Sequence, residues 1–198
     1  MIVVYPKPFQ KLIKNFSSLP SIGPKHAERL VLFLFKKSSE DIEEFAENLL
    51  KIKHLRFCQK CHNISEGDLC QVCKDPKRDA KTVCVVEDPL DVISIERTHA
   101  FHGIYHVLGG VITATEKDAS LKIPDLFERV TKEGIEEIIL ATNPTTEGDT
   151  TALYLKRKLH PLGVKMTRLG RGLSTGADLE YTDELTLSEA LTNRKELL

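Results

Sequence analysis

Apolar residues in the first part of the chain recur every three or four positions, as Phe9, Ile13 and Phe16 do. This spacing places side chains on one face of a helix, so residues 1–55 are predicted to be helical. Ser38 and Ser39 begin a further helical segment, because acidic residues follow them in the first turn and lysines come near its end. That order of charges is typical of the start and the end of one helix.

Beyond the first 80 residues, short apolar runs alternate with amphipathic stretches. Four of these runs have the length and bulk of strands: TVCVVE at 82–87, GIYHVLGG at 103–110, EEIILATN at 136–143 and VKMTRLG at 164–170. The segments between them, such as IPDLFERVTKEG, carry apolar residues at helical spacing. Alternating strands and helices predict a parallel sheet covered by helices, and the final DELTLSEALTNRKELL is predicted to be a helix or a strand-to-helix tail.

Four cysteines between these two regions form the pattern C-x2-C-x8-C-x2-C: Cys58, Cys61, Cys70 and Cys73. Two such pairs can place four thiolates around one tetrahedral zinc ion, and a complete sulfur shell leaves no position for a reacting water. A disulfide pair or four buried thiols are the alternatives, but the doubled spacing favours zinc. Because the segment has few apolar residues of its own, we expect its fold to depend on the metal.

The composition is that of a globular protein, with 41% hydrophobic and 29% charged residues in a chain of 198. No apolar run approaches the roughly 20 residues of a membrane span, and the N-terminus does not resemble a signal peptide. Cysteines in metal-binding spacing suit the reducing cytoplasm better than a secreted disulfide framework. The fifth cysteine, Cys84, lies in an apolar run and is predicted to be buried.

The charge is unevenly distributed, although the net charge is only −1. Residues 1–81 carry 15 basic and 10 acidic side chains, whereas residues 82–198 carry 13 and 19. The first 37 residues hold seven basic side chains and one acidic one. This asymmetry favours an N-terminal face that meets phosphate, and a solvated lysine-rich helix surface is the alternative.

The segment LPSIGPKHAERL, residues 19–30, predicts a tight turn followed by a helix. Gly23 permits the turn, and Pro24 suits the first helical position. The first amide groups of that helix are free to bind a phosphate oxygen, and Lys25 and Arg29 lie on one helix face beside them. The segment resembles the helix-hairpin-helix motif, which binds the DNA backbone without sequence preference. An ordinary turn that packs two helices is the alternative.

Acidic side chains follow two of the predicted strands: Glu87 and Asp91 come after the first, and Glu147 and Asp149 come after the third. The carboxyl ends of parallel strands form the usual ligand crevice of such sheets. Carboxylate oxygens are also the ligands that divalent cations prefer. These four residues are therefore candidates for a cation site.

This arrangement resembles the toprim domain of primases and topoisomerases. Catalytic members combine a Glu after the first strand with an Asp-x-Asp and a Glu-Gly-acid step. Here Glu147-Gly148-Asp149 matches the last step, but Asn143 and Thr145 occupy the two Asp-x-Asp positions. Because metal-dependent phosphoryl chemistry needs several carboxylates, we predict a binding scaffold and not an enzyme. A magnesium-dependent nuclease or primase is the alternative.

Taken in order, these parts resemble the RecR family of bacterial recombination mediators over nearly all of residues 5–195. The most specific stretches are GIYHVLGGVI at 103–112, ILATNPTTEGDTTALYL at 139–155 and TRLGRGLSTGADLEYTDELTLSEAL at 167–191. Ser21 stands where many helix-hairpin-helix turns have Gly. The resemblance implies an α/β fold with an N-terminal helical hairpin (1–55), a zinc-ribbon module (56–78), a toprim-like domain (79–176) and a C-terminal tail and helix (177–198).

The resemblance also implies a function. RecR-like proteins are cytoplasmic, work at the bacterial nucleoid during DNA repair, and form ring-shaped homotetramers that encircle DNA. With RecO and RecF they promote loading of the strand-exchange protein. Lys25 and Arg29 match the DNA contacts of the family. The other matches are the zinc ligands (Cys58, Cys61, Cys70 and Cys73) and an acidic face linked to partner contact or a divalent cation (Glu87, Asp91, Glu147 and Asp149). An adaptor that binds only proteins through its zinc ribbon is a third hypothesis.

Overall fold

The structure is a computed structural model that describes residues 5–113, 121–194 and 196. The chain divides into two compact units, Met1–Leu55 and Arg56–Leu198. The first unit is helical, and the second combines the cysteine module with a parallel sheet flanked by helices. The predicted α/β class is therefore confirmed. The finer division at residues 78 and 176 stays a prediction.

Residues 5–55 of the first unit contain three α-helices, α1 (Lys7–Ser17), α2 (Pro24–Phe35) and α3 (Ser39–Lys51), and a short 3-10 helix at Ile52–His54. The apolar stripes of α1 and α2 face each other, and the rings of Phe9 and Phe35 are 6.3 Å apart. Two side chains of α2, Ala27 and Val31, are buried. The predicted start of α3 is confirmed, because the Ser38 hydroxyl accepts a hydrogen bond of 3.1 Å from the Asp41 amide.

The second unit begins with a short antiparallel pair, β1 (Arg56–Phe57) and β2 (Ile64–Ser65), followed by one helical turn, α4 (Gln71–Lys74). The first Cys-x-x-Cys pair follows β1, and the second surrounds the start of α4. The cysteines are thus held by elements too short to be stable alone.

The sheet contains β3 (Asp79–Val86), β4 (Gly103–Val107), β5 (Glu137–Leu140) and β6 (Lys165–Arg168) in the order β4-β3-β5-β6. All three pairings are parallel, as predicted. Every residue of β4 is buried. Parallel strands are covered on both faces, so their apolar runs are continuous and do not alternate with polar residues.

Helices α5 (Pro89–Glu96), α6 (Ile123–Lys132) and α7 (Thr146–Leu159) flank the sheet, and α8 (Glu184–Thr192) lies in the tail. One core cluster joins residues of β3 and β5, such as Val83 and Ile138, to α6 and α7. A second cluster contains Cys84, Tyr105 and side chains of α5. The predicted burial of Cys84 is confirmed, and the tail is helical. Its final residues 195, 197 and 198 lie outside the described part. Within the described residues, no helix has the length and apolarity needed to cross a membrane.

Candidate metal centre, DNA-binding hairpin and acidic edge

The four sulfur atoms of Cys58, Cys61, Cys70 and Cys73 all lie within 4.8 Å of one another. Three of these side chains are buried and the fourth is half-buried. With Zn–S bonds of about 2.3 Å, a tetrahedral site places its sulfurs about 3.8 Å apart. The Sγ atoms of Cys61 and Cys70 are 3.5 Å apart, so the cluster has the size of such a site.

Proximity also changes the acidity of these thiols. Hydrogen bonding between Cys61 and Cys70 raises the pKa of the Cys61 thiol and lowers the pKa of Cys70. Four neighbouring sulfurs cannot all be ionised without a compensating cation, and a divalent cation removes that repulsion. The donor set and its geometry therefore fit one structural zinc ion per chain, which would hold β1, β2 and α4 together.

The cysteine module is attached to the sheet at several points. The Val107 amide donates to the Cys61 carbonyl oxygen over 2.8 Å, so the module covers the outer edge of β4. Asp125 Oδ2, on α6, lies 2.8 Å from His62 Nε2, and Oε2 of Glu133, the residue that follows α6, lies 3.1 Å from Lys60 Nζ. The cysteine module is thus packed against the sheet as part of one unit.

The predicted DNA-binding residues, Lys25 and Arg29, lie in the first two turns of α2, and both side chains are exposed. The preceding turn has Ser21 in the left-handed region, with φ of 64°. A left-handed backbone is costly for a residue with a side chain, so Gly would suit this position better than Ser21. The first helical hydrogen bond of α2 runs from the Ala27 amide to the Gly23 carbonyl.

The acidic edge comprises the four predicted carboxylates, Glu87, Asp91, Glu147 and Asp149, and each has a different environment. Both oxygens of Glu87 accept hydrogen bonds of 2.7 Å from Asn143, one from the backbone amide and one from Nδ2. Asp91 completes a capping box at the start of α5 by accepting from the Asp88 amide over 2.9 Å. Asp149 is bonded by Arg168 and Arg171. Hydrogen bonding to Arg171 is the main cause that lowers the pKa of Asp149.

Glu147 differs from the other three, because its exposed carboxylate has no side-chain or backbone partner among the described residues. Within the same part of the chain, the four cysteines are the only cluster of three or more groups that could hold a metal ion. The acidic side chains therefore lie along one edge without converging on a common point. Among the described residues, the arrangement offers one free carboxylate, that of Glu147, and no cluster of three carboxylates that could hold a cation.

Family models match the chain in four consecutive parts. The RecR helix-hairpin-helix model matches residues 9–53, the four-cysteine zinc finger domain of RecR matches 55–75, the Toprim domain matches 81–170, and the RecR C-terminal model matches 172–195. The chain is also 48% identical over 197 residues to the Recombination protein RecR of Herpetosiphon aurantiacus, which covers 98% of this chain and 97% of that protein. The chain belongs to the RecR family. The predicted family is confirmed, and with it a place among proteins of DNA recombination and repair that have a four-cysteine zinc finger.

Sequence reasoning missed three residues of this RecR-family chain that donate hydrogen bonds to carboxylates of the acidic edge. Asn143 appeared only as a lost metal ligand, whereas in the structure it binds Glu87. Arg168 and Arg171 lie in a stretch quoted for the family resemblance, but neither had a proposed partner. No local pattern indicates these contacts, because the donors lie 56, 19 and 22 positions from the carboxylates they bind.

Proposed function

We propose that this chain is a nonenzymatic, DNA-binding recombination mediator of bacterial DNA repair. It works in the cytoplasm, at the nucleoid during repair, as a ring-forming clamp of four copies. With RecO and RecF it promotes loading of the strand-exchange protein. The observation that carries the proposal is the start of α2, where free amide groups lie close to two exposed cations, Lys25 and Arg29, in a chain of the RecR family.

The start of α2 has the chemistry of a phosphate site. Pro24 has no N–H, and the backbone amides of Lys25 and His26 donate to no carbonyl of the described residues. A helix N-terminus carries partial positive charge and attracts anions. Lys25 and Arg29 form no ion pair within the described part of the chain, so both cations are available to the same phosphate chain.

A single hairpin contacts only a few phosphates, so one copy should bind DNA weakly. The first unit leaves large apolar side chains exposed, among them Phe33 at 60% and Phe35 at 72%. Apolar surface of this kind supports association with further copies. Several hairpins joined in one ring increase the effective concentration of binding sites without any new contact, and a closed ring also holds DNA topologically.

The acidic edge supports the role of a partner surface. Of the four predicted carboxylates at this edge, that of Glu147 has no partner among the described residues and is free to pair with a cationic partner, while Glu87, Asp91 and Asp149 are bonded within the chain. We assign Glu147 the main contact to RecO or RecF, and the other three a supporting role. Within the described ranges no carboxylates converge on one point, and this argues against the magnesium-dependent nuclease or primase, which would require a site for the ion.

Fluorescence anisotropy with labelled DNA at a series of salt concentrations tests the hairpin. The native chain should bind single- and double-stranded oligonucleotides of unrelated sequence with affinities that fall steeply with salt. The double variant Lys25→Gln/Arg29→Gln should bind every sequence more weakly, with a salt slope smaller by about 2 on duplex DNA. Unchanged affinity in this variant would refute the assignment.

Two lysines of the second unit supply a matched control. Lys81 is bonded to Glu136, and Lys132 is bonded to Glu128, so neither cation is free for phosphate. The double variant Lys81→Gln/Lys132→Gln removes the same charge and should leave the salt slope unchanged. The catalytic alternative is tested with the same preparations, because a nuclease or primase would show magnesium-dependent nicking or synthesis that disappears in Glu87→Gln.

A further inference from the structure

Asn143 binds both oxygens of the Glu87 carboxylate. Its backbone amide donates to Oε1 and its Nδ2 donates to Oε2, each over 2.7 Å. Both bonds have the short length that is typical of hydrogen bonds to an ionised acceptor. Glu87 follows the last residue of β3, and Asn143 follows β5, the strand beside it. The two bonds therefore join the carboxyl ends of neighbouring strands.

The first turn of α7 closes over this contact. A Cβ atom at Gly148 would lie 2.1 Å from the Asn143 carbonyl oxygen and 3.0 Å from Glu87 Oε1, so only glycine allows the helix to approach so closely. The start of α7 also places the positive end of a helix dipole beside the carboxylate. The α7 side of the Glu87 carboxylate is thus occupied by protein, whereas a magnesium ion keeps several waters and needs room for them.

We propose that Asn143 takes the place of a divalent cation at this edge of the sheet. Its two N–H donors supply the positive partner that Glu87 requires, and they hold β3 and β5 together without metal. An aspartate at this position would replace the Nδ2 donor by a second carboxylate oxygen, 2.7 Å from Oε2. Two carboxylates at that distance repel each other, and a cation relieves the repulsion. One substitution should therefore make the edge dependent on a divalent cation.

The test measures melting temperatures in buffer freed of divalent ions by a chelating resin, with and without millimolar MgCl2. No soluble chelator is added, so the zinc site is left intact, and magnesium does not compete for thiolates. The native chain should change by less than about 1 °C when magnesium is added. Asn143→Asp should melt about 5 °C lower without magnesium and recover at least half of that loss with it.

An exchange of the two groups supplies the decisive control. In Glu87→Gln/Asn143→Asp, the amide and the carboxylate change places, so a donor again faces an acceptor. This double variant should melt within about 2 °C of the native chain and should no longer respond to magnesium. Asn48→Asp adds a carboxylate to the exposed surface of α3 and should show no magnesium response.

Two results would overturn the proposal. One is a native chain stabilised by magnesium as strongly as Asn143→Asp, which would mean that the edge already binds the ion. The other is an Asn143→Asp chain that melts like the native protein and ignores magnesium. If the Asn143→Asp variant does not fold, the Asn143→Ala variant tests whether the Nδ2 donor stabilises this edge. It removes the Nδ2 donor without adding charge, and it should melt lower with no magnesium response. Native-like melting of that variant would refute the proposal.

Discussion

His106 is a fully buried residue of β4, yet both ring nitrogens have partners. Nε2 lies 2.8 Å from the Lys122 carbonyl oxygen, and Nδ1 lies 3.3 Å from the Arg129 guanidinium. These partners require a neutral ring that carries its proton on Nε2. Burial, and then the Arg129 charge, lower the pKa of His106 to about 3. The residue is therefore a buried core group with a neutral ring.

This lowered pKa makes the stability of the second unit depend on pH. Between about pH 6.5 and pH 3, His106 takes up a proton in the unfolded chain but not in the folded one. Its contribution is complete above pH 6.5 and falls as the pH decreases through that window, by up to about 1.4 kcal/mol per pH unit. At pH 7.5 we expect the His106→Gln variant to melt at a lower temperature than the native chain. As the pH decreases, its melting temperature should fall by less than that of the native chain.

Thermal melting of both proteins from pH 7.5 to 4.5 checks this expectation. Acid also releases zinc from thiolates, but that loss is common to both proteins, so the difference between the two curves reports on His106. Parallel curves would contradict the assignment of a neutral histidine.

The two carboxylates at the start of α7 should respond differently to neutralisation. Asp149→Asn breaks the contacts to Arg168 and Arg171 and should lower the free energy of unfolding by about 1 kcal/mol, since the carboxylate is 40% exposed. Glu147→Gln breaks no described contact and should melt like the native chain. If Glu147 is the partner contact, the same variant should capture RecO or RecF weakly in a binding assay. Native-like capture would remove Glu147 from the proposed surface.

At the scale of elements, the turn before α2 carries a measurable conformational cost. Ser21 has φ of 64°, a conformation that costs a residue with a side chain roughly 1 kcal/mol. Ser21→Gly should therefore raise the stability of the helical unit by about 0.5–1 kcal/mol, after allowing for the greater freedom of glycine in the unfolded chain. Chemical denaturation measures the gain. A loss of stability would show that the serine side chain contributes to the turn.

The cysteine module should depend on zinc for its fold, and loss of the zinc should destabilise the end of β4. Cys58→Ser removes one of four ligands, so the chain should lose zinc in elemental analysis. Because the Val107 amide donates to Cys61, hydrogen exchange at Val107 should then increase, whereas exchange in β5 and β6 should change less. Cys84→Ser is the matched control, since it introduces a hydroxyl into the core but keeps one zinc per chain. Retention of zinc in Cys58→Ser would refute the ligand assignment.

At the scale of the whole molecule, the distribution of apolar surface predicts assembly. In the first unit, the side chains of Phe33 and Leu50 are 60% and 59% exposed in a single chain. We expect light scattering to give the mass of four chains. Phe33→Glu should reduce that mass and weaken DNA binding, because it places a charge in the apolar surface between copies. Lys53→Glu, an exposed charge change in the same unit, should not alter the mass. A monomeric native chain would refute the ring.

The sequence determined the elements, the class of fold and the metal site. Helices, strands and Cys-x-x-Cys pairs are set by neighbours a few residues apart, so their periodicity and spacing can be read directly. The predictions of four parallel strands, of the helix start at Ser38 and of the zinc ligands succeeded for this reason. Lys25 and Arg29 could be proposed as a pair because they lie one helical turn apart.

Only the tertiary structure decided which carboxylates of the acidic edge are bonded within the chain. Glu87, Asp149 and Glu147 look alike in the sequence, yet Asn143 binds the first, Arg168 and Arg171 bind the second, and no described residue binds the third. These partners are brought together by the order of the strands and by the approach of α7 at Gly148. The state of a carboxylate depends on donors within about 3 Å, and such donors can come from any position along the chain.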